Sequence, residues 1–466
     1  MKHDIGVYGL GTMGSALVRN LAGKGISVAA YSRDIRERES LHDACPEAER
    51  SYRVAHTPED FIASLCVPRR ILLMITAGAA VDQVLHKLLP MLTPGDTVID
   101  GGNSWYRDTL RRGGMMQKHG IHFLGAGISG GERGALEGPS IIAGGDRQGW
   151  ALCADVLCAC AADVDGMSCC RYLGPGAAGH YVKMVHNGIE YGILQLIAET
   201  WMLMENLCSR NDDQIADCFG LWRTGKLSSY LIDAAAAVLS KRAEDGEPLV
   251  RKILDEAEQH GTGKWTVLEG IERSVYIPTI YEALSMRDHS ARHKLRQSGQ
   301  AVISLAPLDI APFFGLINDT DIRDALYAAM LMCYSQGLEL LYAASLQFAW
   351  NISLSDVVDS WKAGCVIRAD MLYPIAKALP DAYQGNLLLS SEFRPLREEA
   401  ALRLVSVGAE ATGLSVPALS ASLNYYDACR AGKMPVNLIQ GIRDHFGAHG
   451  FRRVDREGLF HGEWDE

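Results

Sequence analysis

The chain has 466 residues, of which 48% are hydrophobic and 22% are charged, and its formal net charge is −11. This length exceeds one ordinary hydrophobic core, so we expect two or three domains. The acidic balance argues against a nucleic-acid partner, and no apolar run is long enough to span a bilayer.

A glycine-rich turn follows the first predicted strand. Residues 4–8 form a short apolar strand, and Gly9-Leu10-Gly11-Thr12-Met13-Gly14 precedes a helix over 15–22 and a strand over 26–31. These glycines allow a tight turn that brings a pyrophosphate to the helix N-terminus. The context predicts dinucleotide binding. A strand this early is also unlike a signal peptide, so we expect a cytoplasmic protein.

The end of the second strand selects the cofactor. An acid there binds the ribose 2′-hydroxyl of NAD, whereas an arginine accommodates the 2′-phosphate of NADP. The sequence has Ser32-Arg33-Asp34 at this point. Arg33 favours NADP because a guanidinium matches a phosphate well, and Asp34 keeps NAD possible.

Strands continue to alternate with helices up to about residue 173. Predicted strands at 70–76, 97–100, 121–124 and 140–143 indicate a parallel, doubly wound sheet with ligands beyond the strand C-termini. Two glycine-rich segments, Gly101–Ser104 and Gly125–Gly131, follow strands and are predicted to be turns. They offer backbone N–H groups to an anion or are ordinary strand-ending turns.

The pattern becomes helical from Gly176 onward. We predict a Rossmann-like dinucleotide-binding domain over 1–176, an all-α substrate and dimerisation domain over 177–432, and a C-terminal tail over 433–466. The tail is rich in apolar and aromatic residues, so we expect it to dock on its own subunit or on a partner.

The helical domain opens with a long helix over 180–207 that contains no proline. Lys183, Asn187 and Glu190 lie four and seven residues apart, which places them on one side of that helix, with His186 beside them. The pattern indicates acid–base chemistry or, alternatively, a solvated Lys–Glu face.

Another segment, Gly261-Thr262-Gly263-Lys264-Trp265-Thr266, combines exposed backbone with a positive charge. It is not a P-loop, because Glu258 and Trp265 replace the glycine and the hydroxyl residue that such a loop requires. A plain turn is the alternative. The 12 cysteines match no zinc spacing, so we expect free thiols and no metal site.

Six motifs carry a resemblance to a known family. They are Gly9–Gly14, Gly101–Ser104, Ser129–Glu132 with Gly138–Ser140, Lys183–Tyr191, Gly261–Thr266 and Arg443–His449. Together they resemble the long-chain, decarboxylating 6-phosphogluconate dehydrogenases of the β-hydroxyacid dehydrogenase superfamily. The resemblance implies metal-free, NADP-dependent oxidation of 6-phospho-D-gluconate at C3 to ribulose 5-phosphate and CO₂, within the pentose phosphate pathway.

The resemblance also implies roles for individual residues. Lys183 would be the general base, and Glu190 the general acid. The sugar-acid end of the substrate would be held by Asn103, Ser129, Gly130, Gly131, His186 and Asn187, and its phosphate by Tyr191, Lys264, Thr266 and Arg287. The cofactor would be held by Gly9, Leu10, Gly11, Thr12, Met13, Gly14, Ser32, Arg33, Asp34, Ile75, Thr76, Ala77 and Asn103. Arg443 and His449 would complete the neighbouring subunit's site, which implies a homodimer with exchanged tails.

The chain departs from the family pattern at three places. Ser32-Arg33-Asp34 replaces the usual Asn-Arg-Thr, and Thr76-Ala77-Gly78 replaces the usual Lys-Ala-Gly, so one cation is lost beside the cofactor. The segment 288–308 also differs. A paralogous NAD(P)-dependent β-hydroxyacid dehydrogenase acting on a related anionic six-carbon sugar acid is therefore the alternative function.

Overall fold

The computed structural model describes residues 2–43, 51–259, 261–303, 315–394 and 396–464. The chain forms two compact units, Met1–Leu423 and Asn424–Glu466. In the described ranges, no helix combines the length and the apolar character needed to cross a membrane. The end of the divergent 288–308 segment lies outside these ranges.

An eight-stranded sheet forms the N-terminal part of the first unit, with strand order β10-β7-β6-β5-β4-β1-β2-β3 and a separate β8–β9 hairpin. The strands are β1 (Ile5–Tyr8), β2 (Val28–Tyr31), β3 (Tyr52–Val54), β4 (Arg70–Leu73), β5 (Thr97–Asp100), β6 (His122–Ser129), β7 (Ser140–Gly145), β8 (Asp163–Val164), β9 (Met167–Ser168) and β10 (Cys170–Tyr172). Buried apolar strands β1, β2, β4 and β5 make the centre, as expected for a sheet covered on both faces.

Seven helices accompany this sheet. They are α1 (Thr12–Gly23), α2 (Ile35–Asp43), α3 (Pro58–Ala63), α4 (Ala79–Leu88), α5 (Tyr106–Gln117), α6 (Gly131–Glu137) and α7 (Arg147–Cys160). The chain order reverses between β1 and β4, which opens a crevice at the carboxyl ends of these two strands. The predicted Rossmann-like fold is confirmed.

Two features of the predicted sheet are wrong. The sheet is not parallel throughout, because β7 runs antiparallel to β6. Strand β10 pairs with β7 in parallel, so it also runs opposite to β6. The segment Gly125–Ser129 is also strand rather than turn. The reason is packing: a Cβ at Gly125 would meet His180 at 2.7 Å, and one at Gly127 would meet Lys183 at 2.3 Å. The glycines of β6 make a groove for a helix.

The rest of the first unit is helical. The helices are α8 (Ala178–Asn206), α9 (Asp212–Trp222), α10 (Tyr230–Ser240), α11 (Thr262–Glu272), α12 (Pro278–Ser290), α13 (His293–Val302), α14 (Asp319–Phe348), α15 (Leu354–Trp361), α16 (Leu372–Ala378) and α17 (Glu399–Ala411). Helix α18 (Pro417–Arg430) begins in the first unit and ends in the second. Short 3₁₀ turns occur at Leu89–Met91, Leu249–Lys252, Leu379–Asp381, Tyr383–Gly385 and Leu387–Leu389. The predicted helical part of the fold is therefore confirmed.

Helix α8 is the centre of this part of the molecule. It is buried over most of its length and packs against β6, β7, α11, α12 and α14. It contains no proline, and its apolar residues surround the axis, which is the pattern of a core helix. Its first turns therefore lie against the sheet, and later turns lie against other helices.

The second unit contains α19 (Val436–Gly447) and the chain that follows it. The carboxylate of Asp444 is its centre. It accepts hydrogen bonds from the backbone of Gly450 at 2.7 Å and Gly462 at 2.8 Å, and from Trp464 Nε1 at 2.9 Å. These bonds hold the pKa of Asp444 below its usual range, with the Gly462 N–H as the largest cause. The unit is thus held together by a polar hub.

Candidate active site

The predicted acid–base residues share one buried face of α8. Only 6% of Lys183 is exposed, and its Nζ lies 3.4 Å from His186 Nδ1. His186 Nδ1 lies 3.0 Å from Asn187 Oδ1, and its Nε2 lies 3.4 Å from the hydroxyl of Ser129 on β6. The structure therefore brings these four residues into one polar cluster between α8 and the sheet.

Burial changes the acid–base properties of this cluster. It lowers the pKa of Lys183, an effect that the Glu190 carboxylate partly offsets. It raises the pKa of Glu190 against the opposing charges of Lys183 and Arg287. The pKa of His186 falls well below its usual value because of burial and the adjacent Lys183. Burial thus favours the neutral amine of Lys183 and the protonated carboxyl of Glu190.

The position of Lys183 depends on glycines in β6 and beyond it. A Cβ at Gly127 would lie 2.3 Å from Lys183 Cβ and 2.7 Å from its Cγ. Gly130 has φ +123°, and a Cβ there would lie 2.6 Å from the Gly364 carbonyl oxygen. Gly131 has φ +63° and begins α6. The predicted substrate residues Ser129, Gly130 and Gly131 therefore lie at the end of the strand that contacts Lys183 and at the start of α6.

A second group of predicted residues lies one turn further along α8. The Arg287 guanidinium lies 3.5 Å from the centre of the Tyr191 ring, and a Cβ at Gly263 would lie 2.6 Å from the same ring. Lys264 follows Gly263 and is exposed. The structure thus places the Arg287 guanidinium against the Tyr191 ring, and the exposed Lys264 directly after the glycine that faces this ring.

Thr266 takes a different position. It is completely buried, and its hydroxyl donates to the backbone carbonyls of Met184 at 2.8 Å and Thr262 at 3.0 Å. This bond ties α11 to α8 where Gly188 has no side chain, since a Cβ there would lie 2.9 Å from Thr266 Oγ1. A contact between Thr266 and a phosphate stays a prediction.

A cleft of about 740 Å³ lies beyond the carboxyl ends of the strands. Its walls come from Gly11–Gly14, Met74–Gly78, Gly101–Asn103, Trp105, Asp108, Ile128 and Trp265. Most predicted cofactor residues, including Ile75, Thr76, Ala77 and Asn103, therefore line a single cavity. Gly9 and Leu10 are buried behind it, and Gly9 has φ +103°.

The glycine-rich turn fits a pyrophosphate. A Cβ at Gly14 would lie 2.0 Å from the Gly9 carbonyl oxygen, so only glycine permits this close approach. No side chain caps the N-terminus of α1 at Gly11. Its first backbone N–H groups are left for an anionic ligand, which is how dinucleotide-binding folds hold phosphates.

The end of β2 lies at one side of the cleft. Ser32 is buried, and Arg33 is exposed. Asp34 is paired with Arg36, whose Nη2 lies 2.8 Å from Oδ2, and this bond is the main cause that lowers the pKa of Asp34. None of the three residues is a wall of the cleft itself.

Sequence reasoning missed Arg112. This residue is completely buried, and its guanidinium donates to the Gly78 carbonyl at 2.8 Å and to Asp82 at 3.0 Å. It also reaches Ser104 Oγ at 3.2 Å and Asp100 Oδ2 at 3.3 Å. One side chain therefore holds two of the loops that form the cleft. The sequence gives no signal of burial for the second arginine of an Arg111-Arg112 pair.

The aromatic wall of the cleft was also missed. Trp105 and Trp265 stack with ring centres 6.0 Å apart and an interplanar angle of 23°. Trp105 belongs to the sheet part, and Trp265 follows Lys264 on α11. A pair so distant in sequence leaves no local pattern by which it could be found.

Arg443 and His449 belong to the second unit, on and just after α19, and both are exposed. Arg443 Nη1 donates to Gln440 Oε1 at 3.1 Å, and the rings of Phe446 and His449 are 6.0 Å apart. Their role at a neighbouring subunit's site stays a prediction.

Comparison with known proteins agrees with this geometry. Residues 4–174 match the family described as the NAD binding domain of 6-phosphogluconate dehydrogenase, and residues 179–464 match its C-terminal domain. The chain is 41% identical over 470 residues to the NADP(+)-dependent, decarboxylating 6-phosphogluconate dehydrogenase of Bacillus subtilis, with 99% of each protein covered. It is also 41% identical over 472 residues to the decarboxylating enzyme of Escherichia coli, again with 99% of each covered.

A solved structure gives the same result. The 6-phosphogluconate dehydrogenase of Plasmodium falciparum, described with its cofactor NADP+ and its substrate 6-phosphogluconate, matches with a TM-score of 0.93 and 36% identity. The match covers 99% of this chain and 100% of that protein. The chain therefore belongs to the 6-phosphogluconate dehydrogenase family.

Proposed function

We propose that the chain catalyses the oxidative decarboxylation of 6-phospho-D-gluconate to D-ribulose 5-phosphate and CO₂ with NADP. The observation that supports this most directly is the buried pair on α8, where Lys183 has a lowered pKa and Glu190 a raised one. Lys183 also adjoins the cleft through β6, because Gly127 contacts its stem and Ile128 lines the cleft.

The residues of the cleft fit a dinucleotide. Gly11–Gly14 would hold the pyrophosphate at the α1 N-terminus, Ser32 and Arg33 would lie at the adenosine end, and Thr76, Ala77 and Asn103 along the opposite wall. NADP, when bound, supplies the acceptor for the hydride of C3. The NADP(+) dependence of the Bacillus subtilis relative and the NADP+ complex of the Plasmodium falciparum structure support NADP for this chain.

Two side chains move the protons. Neutral Lys183 accepts the proton of the 3-hydroxyl, and the protonated amine then donates a hydrogen bond to the 3-keto oxygen. The bond between C1 and C2 breaks, C1 leaves as CO₂, and the electron pair forms the enediol as Lys183 gives its proton to the C3 oxygen. Glu190 then protonates the former C2, which is C1 of the product, while Lys183 takes the hydroxyl proton back and the keto group of the product forms. Burial favours the neutral Lys183 of the first step and the protonated Glu190 of the last.

The remaining residues bind the substrate. Ser129, Gly130, Gly131, Asn103, His186 and Asn187 hold the sugar-acid end, and Tyr191, Lys264, Thr266 and Arg287 hold the phosphate. A homodimer completes the site through Arg443 and His449 of the exchanged tail. Exposed apolar side chains on α19, among them Leu438 at 67% and Phe446 at 69%, support docking of the tail on a partner. We keep the division into 1–176, 177–432 and 433–466 as part of this proposal.

Steady-state kinetics test the reaction. The purified protein should reduce NADP in the presence of 6-phosphogluconate and release labelled CO₂ from substrate labelled at C1. Lys183→Met should abolish both signals, whereas Lys118→Met, at an exposed lysine of α5's C-terminal end, should leave them unchanged. Absence of turnover with either NADP or NAD would refute the proposal.

A substrate panel tests the alternative. The departures at 288–308 raise the possibility of another six-carbon sugar acid with a terminal anion. A clear preference for 6-phosphogluconate over its relatives would exclude this alternative, and the reverse preference would establish it.

A further inference from the structure

A carboxylate that the family resemblance does not assign lies beside the glycine-rich turn. Glu37 lies on α2 and accepts a hydrogen bond from Ser32 Oγ at 2.5 Å. Its other carboxylate oxygen lies 3.6 Å from the position that a Cβ on Gly11 would occupy. Gly11 is part of the cleft wall, so the Glu37 carboxylate lies where the glycine-rich turn meets the end of β2.

The other carboxylates of this segment are directed elsewhere. Asp34 is bound by Arg36 through both side-chain oxygens, at 3.2 Å from Nε and 2.8 Å from Nη2. Glu39 is exposed on the same helix as Glu37. Neither has the contact with the glycine-rich turn that Glu37 has. Of the carboxylates of this segment, Glu37 is therefore the one that contacts the glycine-rich turn.

The cations of the segment are also mostly engaged. Arg36 is paired with Asp34, and Arg38 donates to the His56 carbonyl at 2.6 Å with its guanidinium 5.7 Å from the Tyr31 ring. Within the described ranges, Arg33 is exposed and forms no hydrogen bond. The Arg33 guanidinium is thus available to a 2′-phosphate, which the nearby Glu37 carboxylate would repel.

A carboxylate in this position affects the two cofactors in opposite ways. It accepts hydrogen bonds from ribose hydroxyls, which is how dinucleotide-binding folds recognise NAD. It repels a 2′-phosphate, and a repulsion between charges a few ångströms apart at a protein surface is large enough to change affinity severalfold. Arg33 acts in the opposite sense, because it attracts the 2′-phosphate and gains little from a hydroxyl.

We propose that Glu37 is a cofactor-selecting residue of this chain, which opposes the 2′-phosphate that Arg33 attracts and so allows NAD to compete with NADP. This inference rests on the proposed dinucleotide-dependent function. It concerns the ratio of two binding constants, so it is tested apart from turnover.

The experiment measures Kd for NADP and for NAD by isothermal titration calorimetry on the full-length protein. Glu37→Gln should lower the Kd for NADP about tenfold relative to the Kd for NAD, because it removes the repelling charge and keeps the side-chain size. Glu37→Ala, which removes the carboxylate through a smaller side chain, should shift the ratio in the same direction. Arg33→Met should shift it in the opposite direction.

One matched variant is the control. Glu39→Gln removes the same charge from the same helix at an exposed position. It should change the ratio less than threefold, by the weak coupling of exposed charges. The proposal is overturned if Glu37→Gln changes the ratio no more than Glu39→Gln does. If the ratio shifts as expected and no variant turns over 6-phosphogluconate, the selectivity inference holds and the proposed reaction fails.

Discussion

The α8 face and the β2–α2 segment differ in how far their charged side chains are buried. On α8, Lys183 and His186 are almost completely buried, and the backbone of β6 contacts the lysine stem. At the β2–α2 segment, Arg33 and Glu39 are exposed, and Arg36 and Asp34 form a surface ion pair. The proposed acid–base residues lie where water is excluded, and the proposed selection of the cofactor takes place where charges compete in solvent.

This difference in burial predicts where a small substitution has a large effect. The buried region is closely packed, so one added methyl group changes the position of the Lys183 amine. In the exposed region, each ion pair contributes little, and the outcome depends on the balance of several charges. Effects of substitution should therefore decrease from α8 toward the surface, which the following variants test.

The largest effect should come from Gly127→Ala. The new Cβ would lie 2.3 Å from Lys183 Cβ, so the lysine stem or β6 must move. A shift of this size in a reacting group lowers kcat by about a hundredfold or more. Gly114→Ala is the matched control, because nothing lies within 4 Å of a Cβ at that position. Equal kcat values for the two variants would show that β6 does not position Lys183.

The pH dependence of kcat/KM tests the proposed protonation states of the two buried groups on α8. The proposed mechanism requires neutral Lys183 and protonated Glu190, and burial lowers the pKa of the first and raises the pKa of the second. The profile should be bell-shaped, because protonation of the amine removes activity on the acidic side and ionisation of the carboxyl removes it on the basic side. Glu190→Gln should retain about 1% of activity. Its residual profile should lose the basic limb, and persistence of that limb would assign it to another group.

Arg112→Lys tests a buried charge that serves the cleft rather than the reaction. Lysine cannot bond Gly78, Asp82, Asp100 and Ser104 together, so the two cofactor loops should separate and KM for NADP should rise about tenfold. KM for 6-phosphogluconate should change much less. Arg111→Lys is the control, since Arg111 shares Asp82 but is 52% exposed at its side chain. Similar KM values for the two variants would contradict this assignment.

Asp444→Asn tests the hub of the second unit. The pKa of the Asp444 carboxyl is lower in the folded chain than in the unfolded chain. Its stabilising contribution is therefore fully present above the unfolded-chain pKa and is lost as the pH falls through the folded-chain pKa. The variant should shift Trp464 emission at neutral pH to the value that the native protein shows only in acid. Asp455→Asn, at an exposed carboxylate paired with Arg453, is the control. An unchanged Trp464 spectrum in Asp444→Asn would show that other contacts hold the unit.

The smallest effect should come from Arg36→Gln. This substitution releases Asp34 from a surface ion pair, in which the Arg36 side chain is 84% exposed. We expect kcat to stay unchanged and the Kd for NADP to rise about twofold, since a pair of this kind contributes little. A rise as large as that for Arg33→Met would place Arg36, rather than Arg33, at the 2′-phosphate.

Much of the architecture was readable in the sequence because it depends on local order. Gly9–Gly14 after an apolar strand predicted the first turn, and the absence of proline predicted one long helix that the structure places at Ala178–Asn206. The predicted bounds differ from it by one or two residues. Spacing alone placed Lys183 and Glu190 on one side of that helix.

The rest depends on contacts between distant segments. Gly125 and Gly127 resembled a turn, and only the arrival of α8 explains why they are strand. Two glycines separated by one residue fall on the same face of a strand, which is the one signal that could have revealed the groove. Arg112 and the Trp105–Trp265 pair join segments far apart in sequence, so no local pattern marks them.

The stacked indoles of Trp105 and Trp265 have a thermodynamic consequence. Trp265 shares the first turn of α11 with Lys264, so the cofactor cleft and the expected phosphate site adjoin the same helical turn. A ligand that moves this helical turn together with the indole pair would also move Lys264. By linkage, two such ligands would change each other's affinity by the same factor.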